Sequence, residues 1–287
     1  KPFSLVEYNS YENETGNPFR DGSDLKTNFG IDGKINITSD LTLDFTINPD
    51  FGQVEADPAA IALDGFEIFN KEQRPFFVEN KNIFDYRYAG NRDNLFFSRR
   101  IGRSPQVYPQ TPDNSYSDRP QNTTILGAAK FSGKTKKGWS IGILESMTSK
   151  EFSEINTNGV ISESLVEPFT NYFVGRVQKD MNKRNTFLGG IFTATSRSIN
   201  ALTSELRTAA YTGGFDFRHQ WNDRTYYFQT NVVMSHVKGS PESILATQQS
   251  LTHLFDRVDA THVQLDPTRT SLTGTGGLVE IGKDGGQ

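Results

Sequence analysis

The feature that most narrows the fold is a period of two, carried by segment after segment of the chain. Ile31-Asp32-Gly33-Lys34-Ile35-Asn36-Ile37-Thr38 alternates with only Gly33 missing an apolar side chain, and Leu41-Thr42-Leu43-Asp44-Phe45-Thr46-Ile47-Asn48 alternates without an error. Ser39-Asp40 between them is a turn pair, so the two read as a tight hairpin. The pattern returns at Thr123–Ser132 and Gly138–Thr148, at Phe169–Lys179 and Thr186–Thr195, at Tyr211–Trp221 and the run from Tyr226 through Met234, and at Ser271–Gly282. That is about nine strands, each apolar on one face only.

The connections are as informative as the strands. Short turns fall near residues 39, 135, 183, 223 and 285, and long connections run over Pro49–Asn122, Ser149–Pro168, Ser196–Thr208 and Gly239–Thr270. Short and long strictly alternate, so all the long ones leave from the same end. Strands of ~10 residues with one apolar face, short turns at one end and long loops at the other are the pattern of a transmembrane antiparallel up-and-down β-barrel. A soluble β-sandwich has shorter strands and distributes its loops. Two stretches break the alternation: Asp57-Pro58 opens a short helix carried on to Phe69, and Ser240-Pro241-Glu242 opens a second running toward Phe255. The expectation is one all-β domain over residues 1–287, with 49–122 an inserted plug or loop segment. The last hairpin has no partner strand before Gln287, so the chain reads as part of a larger barrel.

Composition closes several alternatives. Thirty Lys and Arg against 34 Asp and Glu leave a net charge of −4, so no nucleic-acid partner is expected. Without cysteine there is no disulfide scaffold, thiolate metal site or cysteine nucleophile. No apolar run approaches the ~20 residues of a transmembrane helix, whereas one-faced strands tolerate an apolar share of 34%.

Several longer motifs are distinctive: Ile47-Asn48-Pro49-Asp50-Phe51-Gly52-Gln53-Val54-Glu55-Ala56-Asp57-Pro58, Lys71-Glu72-Gln73-Arg74-Pro75-Phe76-Phe77-Val78-Glu79, Leu95-Phe96-Phe97-Ser98-Arg99-Arg100-Ile101-Gly102-Arg103-Ser104-Pro105, Glu167-Pro168-Phe169-Thr170-Asn171-Tyr172-Phe173-Val174-Gly175-Arg176 and Leu265-Asp266-Pro267-Thr268-Arg269-Thr270. In this order, over nearly the whole chain, they resemble an uncharacterised outer-membrane family whose β-barrel domain of unknown function commonly follows a carbohydrate-binding module of the family-nine type. The resemblance implies the bacterial outer membrane as location and a barrel topology. It supplies no catalytic residues and no cofactor.

The densest chemistry lies between Asp50 and Arg103. Glu67, Glu72, Arg74, Glu79, Asp85, Arg87, Arg99, Arg100 and Arg103 are the candidates to line a lumen or to tie a plug to its wall. The plainer reading is that Arg–carboxylate pairs fix the segment in place. Glu67, Glu72 and Glu79 are also the carboxylates a glycosidase mechanism would use. Asp50, Glu55 and Asp57 are weak Ca²⁺ candidates, lacking the spacing of an EF-hand loop. His219 and His236 sit on apolar strand faces, where packing in an aromatic belt is the expectation; with His253 and His262 they form no HExxH or triad pattern. Gly142, Gly175, Gly189 and Gly213 form no nucleotide loop and are read as making room for aromatics or relieving curvature. Lys134-Thr135-Lys136-Lys137-Gly138 reads as a solvated basic turn.

The functional expectation is a non-enzymatic barrel at the cell surface, with outer-membrane lipid as its surroundings and passage or handling of a solute, oligosaccharide first, as its task. A scaffold docking other outer-membrane or surface proteins and a polysaccharide hydrolase are the alternatives.

Overall fold

In a computed structural model of the chain, which describes residues 1–49, 71–89, 93–251, 253–257, 259 and 262–284, each of the nine alternating segments forms a strand. In chain order the strands are β1 (Pro2–Ser10), β2 (Ser23–Asn36), β3 (Leu41–Ile47), β4 (Ser115–Asp118), β5 (Ile125–Lys134), β6 (Trp139–Thr148), β7 (Glu151–Thr157), β8 (Val160–Glu167), β9 (Thr170–Met181), β10 (Thr186–Arg197), β11 (Arg207–Trp221), β12 (Tyr226–Gly239) and β13 (Ser271–Lys283). Two helices, α1 (Pro75–Val78) and α2 (Pro241–Gln249), and a few short 3₁₀ turns complete the described secondary structure.

Ten strands make one antiparallel sheet in the order β1-β2-β3-β5-β6-β9-β10-β11-β12-β13. Each lies beside its predecessor in the chain except where an excursion carries β4, β7 and β8 away into a small sheet of their own, β4-β7-β8. The up-and-down order matches the expectation. The closed barrel does not appear: β1 and β13 are edges, and among the described residues neither has a second strand beside it. Closure needs a hydrogen-bond ladder across that gap, so the described strands form an open sheet. The sheet also holds ten strands against the expected nine, β1 being the addition.

The short turns fall where the sequence places them, and two are built alike. Asn182, Lys183 and Arg184 have φ of 51°, 54° and 67°, and Asn222, Asp223 and Arg224 have φ of 50°, 52° and 65°. Each turn thus reverses the chain through three left-handed residues led by Asn, which tolerates that conformation best after glycine. Arg224 Nε donates to Asn185 Oδ1 at 3.0 Å, tying one turn to the other. The Ser149–Pro168 connection is itself a hairpin, with Asn158 (φ 52°) and Gly159 (φ 88°) turning β7 into β8. In α2 the Ser240 hydroxyl accepts from the Ser243 N–H at 3.1 Å and Pro241 opens the helix, which ends at Gln249 rather than continuing toward Phe255. The helix expected over 57–69 lies outside the described residues.

The two faces of the sheet have reversed polarity. Ile143, Val177, Phe192, Phe215, Val232 and Val279 stand on one face and are 43% to 66% exposed, whereas Lys130, Ser132, Ser146, Thr148, Arg176 and Asn231 stand on the other and are 0% to 4% exposed. In an ordinary soluble β-domain the assignments run the other way, and a buried polar face opposite an exposed apolar one is the informative departure. Aromatic rows edge the apolar face. His219, Trp221 and Tyr226 stack at the short-turn end with centroid spacings of 6.0 and 6.1 Å, and Phe173, Phe192 and Tyr211 follow one another at the opposite end at 6.3 and 6.5 Å.

Candidate functional site

The polar face is covered by the chain's own insert. Phe77, Phe84, Tyr86 and Ile101 from the segment between β3 and β5 pack on Ile125, Leu144, Val174 and Ile191, the few large aliphatic residues that face that way, to make the hydrophobic core. Small residues on the wall admit the rings. A Cβ built on Gly142 would lie 2.9 Å from Phe84, and one on Gly214 would lie 2.7 Å from Tyr86. Of the four glycines singled out in the sequence, Gly142 makes room for an aromatic ring as expected. Gly189 instead makes room for a charge pair, since its Cβ would meet Arg176 Nη1 at 2.5 Å and Asp216 Oδ1 at 2.6 Å.

Three polar fastenings hold the insert. The first is internal: Arg74 grips the Glu72 carboxylate through Nε (2.8 Å) and Nη2 (2.7 Å) and spends its remaining donors on the Ile101 and Ser98 carbonyls, both at 2.7 Å. The Glu72 carboxylate also accepts from the Ser98 hydroxyl at 2.5 Å, and the guanidinium lies 4.2 Å over the Phe77 ring. Burial pushes the Glu72 carboxyl up, but the Arg74 guanidinium, the Ser98 hydroxyl and the Arg74 N–H outweigh it and hold Glu72 below the ordinary carboxylate range.

The second fastening joins the insert to the wall. Lys130, 1% exposed, extends from β5 and donates from Nζ to the carbonyls of Phe76 (2.5 Å) and Glu79 (2.8 Å) at the end of α1. Beside it, Asp44 of β3 lies 3.6 Å from Lys130 and 3.8 Å from Lys34, and Lys34 also pairs with the Glu79 carboxylate. Asn80 Nδ2 donates to Ser132 Oγ at 3.1 Å.

The third lies farther along the wall. The Tyr86 hydroxyl sits 2.8 Å from the carbonyl oxygens of both Phe215 and Val232, which face each other across β11 and β12. Beside it Arg176 of β9 and Asp216 of β11 form a two-pronged pair at 2.5 and 2.8 Å. Burial and the nearby Asp216 charge push the Tyr86 phenol up to about 12 against the opposing effect of Arg176, so it serves as a donor. Asn231 Nδ2 donates to the Arg87 and Tyr88 carbonyls, each at 3.0 Å, and the Tyr88 hydroxyl reaches the Gly277 carbonyl at 3.2 Å.

The candidates from the sequence therefore divide. Glu72 and Arg74 clamp the insert to itself, and Glu79 ties it to the wall. Asp85 is exposed and accepts from Asn94 Nδ2 at 3.4 Å, while Arg87 contributes its carbonyl to Asn231. Arg99 and Arg100 lie in the 3₁₀ turn Ser98–Arg100, and Arg103 follows with its side chain on Gln106. Glu67 and the weak Ca²⁺ candidates Asp50, Glu55 and Asp57 lie outside the described residues. A glycosidic acid needs a raised pKa, and Glu72 has the opposite. Among the described residues no three His, Asp or Glu side chains gather as a metal set. His219 stacks on Trp221 with Nδ1 2.8 Å from Thr186 Oγ1, and His236 Nδ1 lies 2.8 Å from Thr273 Oγ1. Sequence reasoning passed over Asp44, Lys130, Arg176, Asp216 and Asn231, the wall's half of the fastenings. Their one signal is a charge or amide in mid-strand on the polar face.

Fold and site together define an all-β protein: an up-and-down antiparallel sheet whose polar face is filled by a segment of the same chain. Over residues 2–258 the chain matches the family described as domain of unknown function DUF5916, and it belongs to that family. No curated protein and no solved structure matches it.

Proposed function

We propose that the ten-stranded sheet is wall from a bacterial outer-membrane β-barrel, that the insert between β3 and β5 is its plug, and that the protein passes or handles a solute at the cell surface without chemistry of its own. The reversed polarity of the sheet carries this reading: an apolar face open to the surroundings, backed by buried Lys130, Arg176 and Asn231. The spacing of the aromatic rows supports it. Tyr211 and Trp221 both stand on the apolar face of β11, ten residues apart, which is about 33 Å along an antiparallel strand. At the tilt of membrane strands this becomes about 25 Å, the height of a lipid-facing band. No helix among the described residues is long and apolar enough to cross a membrane. Oligosaccharide remains the first ligand choice, drawn from the company that the resembled family keeps.

The test is heat-modifiable gel mobility of the native protein extracted in detergent, followed by conductance in planar bilayers. The reading expects a folded-to-unfolded mobility shift and a conductance that rises when the insert's fastenings are cut. Solubility in plain buffer with no shift would overturn it.

A further inference from the structure

Charge is divided between the two ends of the sheet. The four short turns, residues 37–40, 135–138, 182–185 and 222–225, carry five basic side chains, Lys136, Lys137, Lys183, Arg184 and Arg224, against two acids, Asp40 and Asp223. The three residues on either side of each turn add three lysines and one aspartate, of which Lys34 is taken by Glu79 of the insert and Lys134 by Asp180. Beside the last turn, Lys283 and Asp284 at the end of β13 balance each other. The connections at the opposite end, 11–22, 149–169, 198–206 and 240–270, carry four basic residues against twelve acids, and 48–124, which includes the insert, nine against eleven.

The basic end is also the tryptophan end. Trp139 and Trp221 are the chain's two tryptophans, and both stand where the apolar face meets the short turns, 43% and 41% exposed. Lys179 Nζ lies 4.9 Å from the centre of the Trp139 ring and donates to the Lys137 carbonyl, and Arg224 Nη2 donates to the Lys183 carbonyl at 3.3 Å. All five basic side chains of the turns are exposed; Lys136, Lys137 and Lys183 have no ion-pair partner among the described residues, and Arg184 stands 3.9 Å from Asp180. Solubility explains neither feature, since the opposite end also meets solvent, yet its connections bear the other sign and hold no tryptophan. Large rings at a boundary, with long cationic stems reaching past them, make an interface between hydrocarbon and a negatively charged headgroup layer.

We propose that the short-turn end of the sheet is a docking surface for anionic phospholipid, with Trp139 and Trp221 seated at the headgroup boundary and Lys136, Lys137 and Lys183 gathering headgroup phosphates around them. The inference rests on the reading of the sheet as lipid-facing wall and adds to it which lipid the wall prefers and which end meets it. A lysine ammonium is a point charge on a flexible stem, suited to headgroups that exchange rather than to one fixed ion.

The test uses the two tryptophans as reporters, both being at this end. The full chain is reconstituted in vesicles of equal parts phosphatidylglycerol and phosphatidylcholine, with bromine on the acyl chains of one lipid or of the other, and tryptophan fluorescence is read. Brominated phosphatidylglycerol is expected to quench about twofold more than brominated phosphatidylcholine. The excess should vanish in the combined variant Lys136→Gln, Lys137→Gln, Lys183→Gln, whose positions lie outside the strands; the two lipids then quench alike, which also shows the variant inserted. Equal quenching by both lipids in the wild-type chain leaves the wall reading intact and overturns the inference, as does an excess that survives the combined variant. No quenching by either lipid overturns the wall reading and the inference with it.

Discussion

Replacing Lys130 by methionine isolates the fastening between insert and wall. Methionine keeps the length and apolar stem of the side chain and removes only the charged donor. Two carbonyl oxygens, of Phe76 and Glu79, then lose their partner, and Asp44 loses the nearer of its two cations. Asp44 is poorly placed to bear this, because its Oδ2 is buried and makes no hydrogen bond. An unmade buried acceptor costs about 1–3 kcal/mol, and breaking a buried ion pair by removing one partner about 3–5 kcal/mol. The two overlap, so about 4 kcal/mol is the working figure, or roughly a thousandfold in the equilibrium between seated and released insert at 1.4 kcal/mol per factor of ten. The wall's own ladders are untouched. Hydrogen exchange read by mass spectrometry should therefore speed up in peptides covering residues 71–89 while those of β6 and β9 stay protected. Adding Asp44→Leu should recover about 1–2 kcal/mol, since removing both members of a buried pair costs less than removing one. The reasoning is refuted if the insert exchanges no faster in Lys130→Met, or if the sheet loosens along with it.

Three further outcomes follow from the same geometry. Gly214→Val drives its side chain into the Tyr86 ring and should cost about 1–3 kcal/mol through overpacking, read as faster exchange around Tyr86. Val232→Arg, on the exposed apolar face of β12, should destabilise a lipid-embedded wall by about 2–4 kcal/mol if it lies near mid-membrane; a denaturant titration in lipid vesicles showing no change argues against a lipid-facing role. Glu72 has its folded-state pKa lowered from the usual 4.5, so its contribution to seating the insert is fully present above that value and is lost as pH falls below it toward the folded value. Insert exchange should be flat in its pH-corrected rate from neutrality down to about pH 5 and rise below, and Glu72→Gln should remove that step.

Most of the wall is readable from residue order because period two is a local property. Leu41–Asn48 and Tyr211–Trp221 declare their strands without reference to any other part of the chain. β1 escapes because Phe3 and Leu5 fall on one face and Val6 and Tyr8 on the other, so its apolar residues do not alternate. The β7–β8 hairpin has a local signal of its own, Asn158-Gly159, the strongest short turn pair, set inside the Ser149–Pro168 connection. The charged partners of the first fastening, Glu72 and Arg74, and the insert's acid of the second, Glu79, are also legible, since they lie in one dense run. The wall's residues are not, because Lys130, Arg176, Asp216 and Asn231 come from four strands, and only the folded sheet decides which of their polar faces lies under which turn of the insert.

The wall and its insert also differ in how far apart in the chain their contacts lie. Seven of the sheet's nine ladders join strands consecutive in the chain, and four of the nine are closed by short turns. The insert precedes β5, yet the Tyr86 hydroxyl binds carbonyls 129 and 146 residues later, and Asn231 reaches back 144 residues to Arg87. Contacts of such separation carry the largest entropy of closure and form last. The fastenings of Tyr86 and Asn231 thus wait on β11 and β12, whereas Lys130 of β5 meets the Phe76 and Glu79 carbonyls across only 54 and 51 residues. The insert is therefore joined to the wall in two ranges, one closed within the first half of the chain and one that reaches across most of its length.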